Sequence, residues 1–133
     1  MPGNKLYSTV KILIVDDDTS VMTFLNNWLE AKGYRQILSA KTGEEALKII
    51  RKEKDINLVL LDIRLPGIDG IEVLRRIKKI NKDIGVIMIT AFADEQAAKA
   101  AVKEGAYDYI MKPFDLAYLE LSVLTKVINN IKR

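Results

Sequence analysis

The amino-acid sequence predicts an α/β fold in which a five-stranded parallel sheet is covered by helices on both faces. Five short runs are typical of strands, and three of them, residues 11–15, 57–61 and 85–89, are almost wholly apolar, as expected for strands that are buried on both sides. Each run is followed by a longer segment in which apolar residues recur every three or four positions, the spacing of an amphipathic helix. This strict alternation is typical of parallel sheets whose strands are connected by helices.

The five strands can be placed directly on the apolar runs. They are predicted at residues 11–15, 36–40, 57–61, 85–89 and 107–111. The third run ends at Asp62 and the fourth at Thr90, and each of these is the first polar residue after its apolar run. Residues 1–9 form a lead-in that we expect to be flexible.

The five helices are predicted from apolar spacing and from residues that favour helix ends. Asp18 or Thr19 can cap the first helix, and Gly33 can end it. Thr42 and Glu45 have the spacing of a capping box. The later helices are predicted to begin after Asp69, Asp94 and Asp115, and the fourth to end at Gly105. The apolar stripe of the first helix is Val21, Phe24, Leu25, Trp28 and Leu29, and that of the last helix is Leu116, Leu119, Val123, Leu124, Val127, Ile128 and Ile131.

Composition limits what the chain can do. Its 133 residues are 49% hydrophobic, which is enough for one domain spanning residues 1–133. It has no Cys and no His, so disulfides, imidazole catalysis and a phosphohistidine on this chain are excluded. A net charge of +3 is too mild to indicate direct nucleic-acid binding. No apolar run is long enough to span a membrane, and we expect a cytoplasmic protein.

Three consecutive carboxylates, Asp16, Asp17 and Asp18, follow the first buried strand. At roughly 5 Å separation and an effective dielectric constant of about 20, each pair would repel by about 3 kcal/mol. A bound divalent cation would remove this cost, because carboxylate oxygens are hard ligands. The alternative is that the carboxylates only begin the next helix, since acidic residues stabilise a helix N-terminus.

Polar residues also follow three other strands: Asp62, Thr90 and Lys112. The carboxyl ends of parallel strands meet at one edge of the sheet, where such folds bind ligands. Asp17 and Asp62 can supply oxygen ligands for Mg²⁺, and a carboxylate can attack phosphorus to give an aspartyl phosphate. Lys112 and Thr90 can neutralise and hold phosphoryl oxygens. Each residue alone has an ordinary structural explanation, and the coincidence at several strand ends is what indicates a site.

Several motifs resemble the receiver domain of two-component response regulators, the CheY-like fold. The resemblance covers about residues 11–132 and implies a flavodoxin-like sheet with strand order 2-1-3-4-5. The motifs are Asp16-Asp17, Ala40-x-x-Gly43-x-Glu45-Ala46-Leu47, Asp62-x-x-Leu65-Pro66-x-x-Asp69-Gly70, Thr90-Ala91, and Gly105-Ala106-x-Asp108-Tyr109-Ile110-x-Lys112-Pro113-Phe114.

The resemblance implies a role for each matching residue. Asp62 would be the phosphoacceptor. Asp16, Asp17, Asp62 and the backbone carbonyl of Arg64 would bind Mg²⁺. Thr90 and Lys112 would contact the phosphoryl group, Tyr109 would be the switch aromatic residue, and the Lys112-Pro113 bond would be cis.

The resemblance also implies partners and an output. The phosphoryl group would come from a sensor histidine kinase or a His-containing phosphotransfer protein, and a downstream output domain or target protein would read the result. The chain would be a signalling phosphoacceptor rather than an enzyme. Its switching face would comprise the helix that ends at Gly105, the fifth strand and the last helix, and phosphorylation could drive formation of a homodimer. Tyr118 and Leu121 lie off the main apolar stripe of the last helix, so they either contact a partner or a second copy or pack at the margin of the core. Arg64 and Phe92 would slow the loss of phosphate.

Three other functions are compatible with parts of the sequence. Asp16-x-Asp18-x-Ser20 is similar to the motif of haloacid-dehalogenase-type phosphohydrolases, in which Asp16 would be the nucleophile. A Rossmann-like nucleotide binder is disfavoured, because no glycine-rich loop follows the first strand. A receiver that only binds partners, without phosphorylation, is disfavoured by the complete set of Asp62, Thr90 and Lys112.

Overall fold

The computed structural model describes residues 5–91, 95–113 and 115–131, with only the backbone given for 5–6 and 127–131. Helices and strands alternate from the first strand onward, as the apolar periodicity predicts. The elements are α1 (Lys5–Thr9), β1 (Lys11–Val15), α2 (Thr19–Ala31), β2 (Gln36–Ala40), α3 (Gly43–Lys52), β3 (Leu58–Leu61), α4 (Gly70–Ile80), β4 (Gly85–Thr90), α5 (Glu95–Lys103), β5 (Asp108–Met111) and α6 (Leu116–Ile131).

The five strands form one parallel sheet in the order β2-β1-β3-β4-β5. This confirms the predicted fold class and strand order. Val15, the last residue of β1, pairs with Leu61, the last residue of β3, and Leu61 pairs with Met88 of β4. β1 and β3 therefore end level, so Asp16 and Asp62 emerge side by side, whereas β4 continues for two more residues to Thr90.

Two apolar cores lie on opposite faces of the sheet, because successive side chains of a strand point in opposite directions. On one face Leu13, Val59 and Val86 pack against α3, α4 and α5. On the other face Ile12, Leu58 and Ile87 pack against α2 and α6. Central strands that are buried on both faces explain why their sequences show no polar alternation.

The lead-in contains a short helix that the sequence does not predict. The Tyr7 ring of α1 lies 4.7 Å from the ring of Tyr34, and the Gln36 side chain donates a hydrogen bond to the Ser8 carbonyl, 2.9 Å. Tyr34 is only 3% exposed, so α1 helps to cover the apolar surface after α2. A five-residue helix is too short to produce a helical period in sequence.

In α2 and α6, some residues of the apolar stripe predicted from the sequence are exposed rather than buried. Leu25 and Leu29 of α2 are buried as predicted, but Phe24 is 45% exposed. Leu119 and Val123 of α6 are buried, whereas Leu116 is 39% exposed. Trp28 is half-buried against the core shared by α2 and α6. The predicted cap Asp94 and the side chains of Val127, Ile128 and Ile131 lie outside the described residues.

The predicted helix caps are present at α2, α3 and α4. The Thr42 hydroxyl accepts from the Glu45 N–H, 3.1 Å, and Asp69 accepts from the Glu72 N–H, 3.0 Å. The Glu45 carboxylate accepts from the Lys41 N–H rather than from that of Thr42, so the capping box is only half formed. None of the described helices is long and apolar enough to cross a membrane.

Candidate acidic site at the carboxyl edge of the sheet

Asp16 and Asp62 are the first residues after the paired ends of β1 and β3. The Asp16 N–H donates to the Ala40 carbonyl, 3.1 Å, and the Asp62 N–H donates to the Val15 carbonyl, 3.0 Å. These hydrogen bonds extend the strand pairing by one residue. The backbone therefore holds both carboxylates at adjacent positions before any side-chain contact is made.

Asp16, Asp17 and Asp62 form the acidic cluster that the sequence predicts. Each contributes a carboxylate oxygen, and these oxygens all lie within 4.8 Å of one another. Asp16 is 3% exposed and Asp62 6%, whereas Asp17 is exposed at the rim. Buried carboxylates need a cationic partner, and oxygen ligands at this separation suit a hard divalent cation. The site could therefore bind a metal ion.

Lys112 supplies a positive charge to the two buried carboxylates. Its Nζ lies 2.8 Å from Asp16 Oδ2 and 3.5 Å from Asp62 Oδ2. The backbone places it there, because the Lys112 N–H donates to the Thr90 carbonyl, 2.8 Å, directly after β5. The bond from Lys112 to Pro113 is cis, as the resemblance implies.

The charges of the site change the pKa values of its members. Burial raises the pKa of Asp62, the charge of Asp16 raises it further, and Lys112 partly offsets both effects. Burial alone would lower the pKa of Lys112, but its hydrogen bond to Asp16 and the charges of both carboxylates outweigh this and raise the pKa. The lysine is thus held as an ammonium ion between the two acids.

Asp18 plays a different part from the other two acids of the run. Its side chain accepts hydrogen bonds from the Ser20 N–H, 2.9 Å, and the Val21 N–H, 3.4 Å, and so caps α2. Its own N–H donates to Asp16 Oδ1, 2.9 Å. The helix-cap explanation therefore holds for Asp18, whereas Asp16 and Asp17 belong with Asp62 to the cluster that could bind a metal ion.

A cavity of about 260 Å³ opens beside Asp62 and is also lined by Arg64, Thr90 and Ala91. Thr90 is fully buried at the end of β4. The Arg64 N–H donates to Asp62 Oδ1, 3.3 Å, which fixes the second oxygen of that carboxylate. Phe92, expected to flank this opening, lies outside the described residues. The cavity gives a small ligand access to the Asp62 carboxylate.

Tyr109, the expected switch residue, lies on the edge strand β5, opposite Met88 of β4. It is half-buried and packs against the same core as Met88. Because side chains alternate along a strand, Thr90 points to the same face of the sheet as Met88 and Tyr109. The two expected switch residues therefore share the face covered by α3, α4 and α5.

Two features of the site region had no role assigned from sequence. Asp108 Oδ2 accepts hydrogen bonds from the Tyr118 and Ser122 hydroxyls, both 2.7 Å, and so ties α6 to β5. The four-residue spacing of these hydroxyls, which places both on one face of a helix, is a signal that could have found this contact. Gly70 is required for close packing, because a Cβ there would lie 2.2 Å from the Asp62 carbonyl oxygen.

The chain belongs to the response regulator receiver domain family, whose model matches residues 12–124. It is 46% identical over 114 residues to the transcriptional regulatory protein ZraR of Klebsiella oxytoca, covering 86% of this chain but 25% of that protein. It is 42% identical over 106 residues to sporulation initiation phosphotransferase F of Bacillus subtilis, covering 80% of this chain and 84% of that protein.

Solved structures show the same fold. A CheY-like receiver domain protein from Methanospirillum hungatei has a TM-score of 0.87 and 34% identity, with 94% of this chain and 98% of that chain covered. CheY in the CheX-CheY-BeF3-Mg complex of Borrelia burgdorferi gives a TM-score of 0.83 and 34% identity, covering 93% and 94%. The chain is thus a two-component receiver domain, and the haloacid-dehalogenase alternative is not supported.

Proposed function

We propose that Asp62 accepts a phosphoryl group from the phosphohistidine of a sensor histidine kinase or a His-containing phosphotransfer protein, with Mg²⁺ bound at the acidic cluster. The observation that carries this proposal is the position of Asp62: a buried carboxylate on the cavity wall, beside Asp16 and Asp17 and 3.5 Å from the Lys112 ammonium. Family membership supports phosphoacceptor chemistry in general, and the geometry supports this residue.

The proposed transfer is a displacement at phosphorus. One Asp62 oxygen attacks the phosphorus atom, the bond from phosphorus to the histidine nitrogen breaks, and that nitrogen keeps the electron pair. The products are an aspartyl phosphate and an unphosphorylated histidine on the partner. Asp62 must be ionised to attack, and Lys112 favours the ionised form, since its charge and hydrogen bond lower the pKa of Asp62 against the effect of burial.

Asp16, Asp17, Asp62 and the backbone carbonyl of Arg64 would hold the metal. Bound Mg²⁺ would supply charge neutralisation for the phosphoryl oxygens. The chain's own contribution is to keep Asp16 and Asp62 side by side at the ends of β1 and β3. Lys112 adds a positive charge beside both buried carboxylates, 2.8 Å from Asp16 and 3.5 Å from Asp62.

Thr90 is proposed to read the modification. Thr90 lines the cavity beside Asp62, and its hydroxyl could donate a charge-assisted hydrogen bond to a phosphoryl oxygen, worth about 1.5–3 kcal/mol. A shift of Thr90 toward the phosphate would leave space for the Tyr109 ring on the same face. Changing a two-state population from 1:99 to 99:1 needs about 5.5 kcal/mol, which several such bonds and a repacked ring could supply.

The proposed output face is formed by α5, β5 and α6. Tyr118 and Leu121 on α6 are 46% and 60% exposed, which favours partner contacts over core packing. A downstream output domain, a target protein or a second copy of the chain could bind there after phosphorylation. We propose that the chain acts as a signalling protein that has no separate substrate and binds neither nucleic acid nor membranes directly. Its cytoplasmic location stays a prediction.

The proposal can be tested with a small phosphodonor. The protein is incubated with acetyl phosphate with and without Mg²⁺, and intact mass is measured over time. We expect one added phosphoryl group that requires Mg²⁺ and is absent in Asp62→Asn. The matched control is Asp55→Asn, an exposed acid bound to Lys11, which should label normally.

Three outcomes would contradict the proposal. Unchanged labelling of Asp62→Asn would move the phosphoacceptor elsewhere. Absence of labelling in the folded wild-type protein, with both acetyl phosphate and a panel of phosphorylated histidine proteins, would favour the receiver that only binds partners. Continuous hydrolysis of a generic phosphate ester, dependent on Asp16, would indicate a phosphohydrolase.

A further inference from the structure

We propose that Asp18 is a positioning residue for the acidic site. By capping α2 it holds its own N–H against Asp16 and so fixes the carboxylate that Lys112 and a bound cation would share. This inference rests on the proposed function and deepens it, because it assigns a role to the third acid of the run. Asp18 acts through Asp16 and contacts neither the metal nor the phosphoryl group.

The first step is that the backbone at Asp18 is held in place by the helix that it begins. Its φ and ψ angles of −87° and 109° are those of an extended N-cap residue. Its side chain accepts from two N–H groups of the first turn, those of Ser20 and Val21. Its carbonyl accepts from the Met22 N–H, 3.1 Å. Side chain and carbonyl thus both attach Asp18 to α2.

The second step is that this fixed residue orients Asp16. The Asp18 N–H donates to Asp16 Oδ1, 2.9 Å, while Lys112 Nζ contacts Asp16 Oδ2, 2.8 Å. Both oxygens of a carboxylate that is only 3% exposed are therefore held, one by α2 and one by the end of β5. Loss of the N–H contact would leave a buried anionic oxygen without this donor, and the carboxylate would be less restrained although Lys112 still contacts Oδ2.

The third step is to distinguish capping from charge. Asp18 is exposed and is not part of the three-carboxylate cluster, but a nearby negative charge could also favour a cation. Asparagine caps a helix about as well as aspartate and carries no charge, whereas alanine removes the cap. Comparison of Asp18→Asn with Asp18→Ala therefore separates the two explanations.

The experiment measures the Mg²⁺ dissociation constant by isothermal titration calorimetry. Asp18→Ala should weaken binding about fivefold, which equals the loss of a cap worth ~1 kcal/mol. Asp18→Asn should stay within about twofold of the wild type. If Asp18→Ala does not fold, Asp18→Gly removes the side-chain acceptor at a smaller cost to the helix, and it should weaken binding less, by about twofold, but more than Asp18→Asn does.

A matched control separates positioning from general destabilisation. Ile50 of α3 is 3% exposed and lines a cleft with Ile80 and Ile84 at the opposite edge of the sheet, so Ile50→Val should destabilise the fold comparably. It should leave the Mg²⁺ dissociation constant unchanged. Equal weakening in Ile50→Val and Asp18→Ala would overturn the inference.

Three other results would also overturn the inference. Equal weakening of Mg²⁺ binding in Asp18→Asn and Asp18→Ala would indicate a charge effect. Unchanged Mg²⁺ binding in Asp18→Ala, or no Mg²⁺ binding by the wild type, would leave no positioning effect to explain. Failure of the proposed function would be seen separately, as a wild-type protein that binds Mg²⁺ but is not labelled by acetyl phosphate.

Discussion

Replacing Lys112 with methionine is expected to destabilise the unphosphorylated protein strongly and in a way that Mg²⁺ reverses. Lys112 is the cation that the structure places between Asp16 and Asp62, whose side chains are only 4% and 8% exposed. Methionine keeps much of the length and apolar character of the side chain. The substitution therefore removes mainly the positive charge.

The size of the effect follows from the distances. Separations of 2.8 and 3.5 Å correspond to attractions of about 6 and about 5 kcal/mol at an effective dielectric constant near 20, before desolvation is counted. Removal of one partner of a buried ion pair costs about 3–5 kcal/mol in measured cases. The Lys112 side chain is 17% exposed, so we expect the lower end, about 3 kcal/mol, or roughly 10 °C in melting temperature.

The assay is thermal or urea unfolding at neutral pH with and without Mg²⁺. Without the ammonium ion the carboxylates repel each other and bind the cation more tightly than in the wild type. A ligand at 100 times its dissociation constant adds about 2.7 kcal/mol, so saturating Mg²⁺ should recover much of the loss. The deficit should also shrink as the pH falls, because protonation of Asp62, whose pKa is already raised, removes an unpaired charge.

Lys11→Met is the matched control. The Lys11 side chain is 14% exposed, close to the 17% of Lys112, and it also pairs with two acids, Glu53 and Asp55. Those acids are 35% and 74% exposed, so water can replace the lysine. We expect a smaller loss that Mg²⁺ does not change. Equal losses in the two variants, or a Lys112→Met deficit that persists in saturating Mg²⁺, would refute the reasoning.

Three further outcomes are expected. Asp62→Asn should raise the free energy of unfolding of the unmodified protein at pH 7, because the folded state raises the pKa of Asp62 and so penalises its ionised form. In urea unfolding, this gain should disappear as the pH falls through the raised pKa toward about 4. Thr90→Ala should slow acetyl phosphate labelling by about tenfold or more, measured by intact mass, and an unchanged rate would remove the hydroxyl from the reaction. Small residues at both Arg64 and Phe92 should shorten the phosphate lifetime, measured by decay of the labelled mass after donor removal, whereas an unchanged lifetime would contradict the expected shielding.

The fold is accessible from sequence because its central strands are buried on both faces. Runs such as Ile12–Val15 can be recognised without knowing their neighbours, and alternation with helices then implies a parallel sheet. The helix at Lys5–Thr9 is too short for a period, and its stability depends on the contact of Tyr7 with Tyr34. Exposure of Phe24 depends on how α2 lies on the sheet, which apolar spacing alone does not determine.

The site is predictable as a set of residues but not as a geometry. Strand ends bring Asp16, Asp62 and Lys112 to one edge, and this much follows from topology. The sequence cannot show that Lys112 lies nearer to Asp16 than to Asp62, because side-chain packing sets these distances. The sequence does offer Asp18 as a helix cap and, through the resemblance, Asp16 and Asp17 as metal ligands. It does not show that the Asp18 N–H donates a hydrogen bond to Asp16, because this contact depends on the local backbone geometry.

The most direct test of the central claim is to locate the phosphoryl group on the chain. After labelling with acetyl phosphate and Mg²⁺, borohydride reduction converts an aspartyl phosphate into homoserine, which peptide mass spectrometry can locate. Homoserine at position 62, absent when Mg²⁺ is chelated beforehand, is the predicted result. Homoserine at Asp16 or Asp17, with Asp62 intact, would contradict the assignment of Asp62 as the phosphoacceptor.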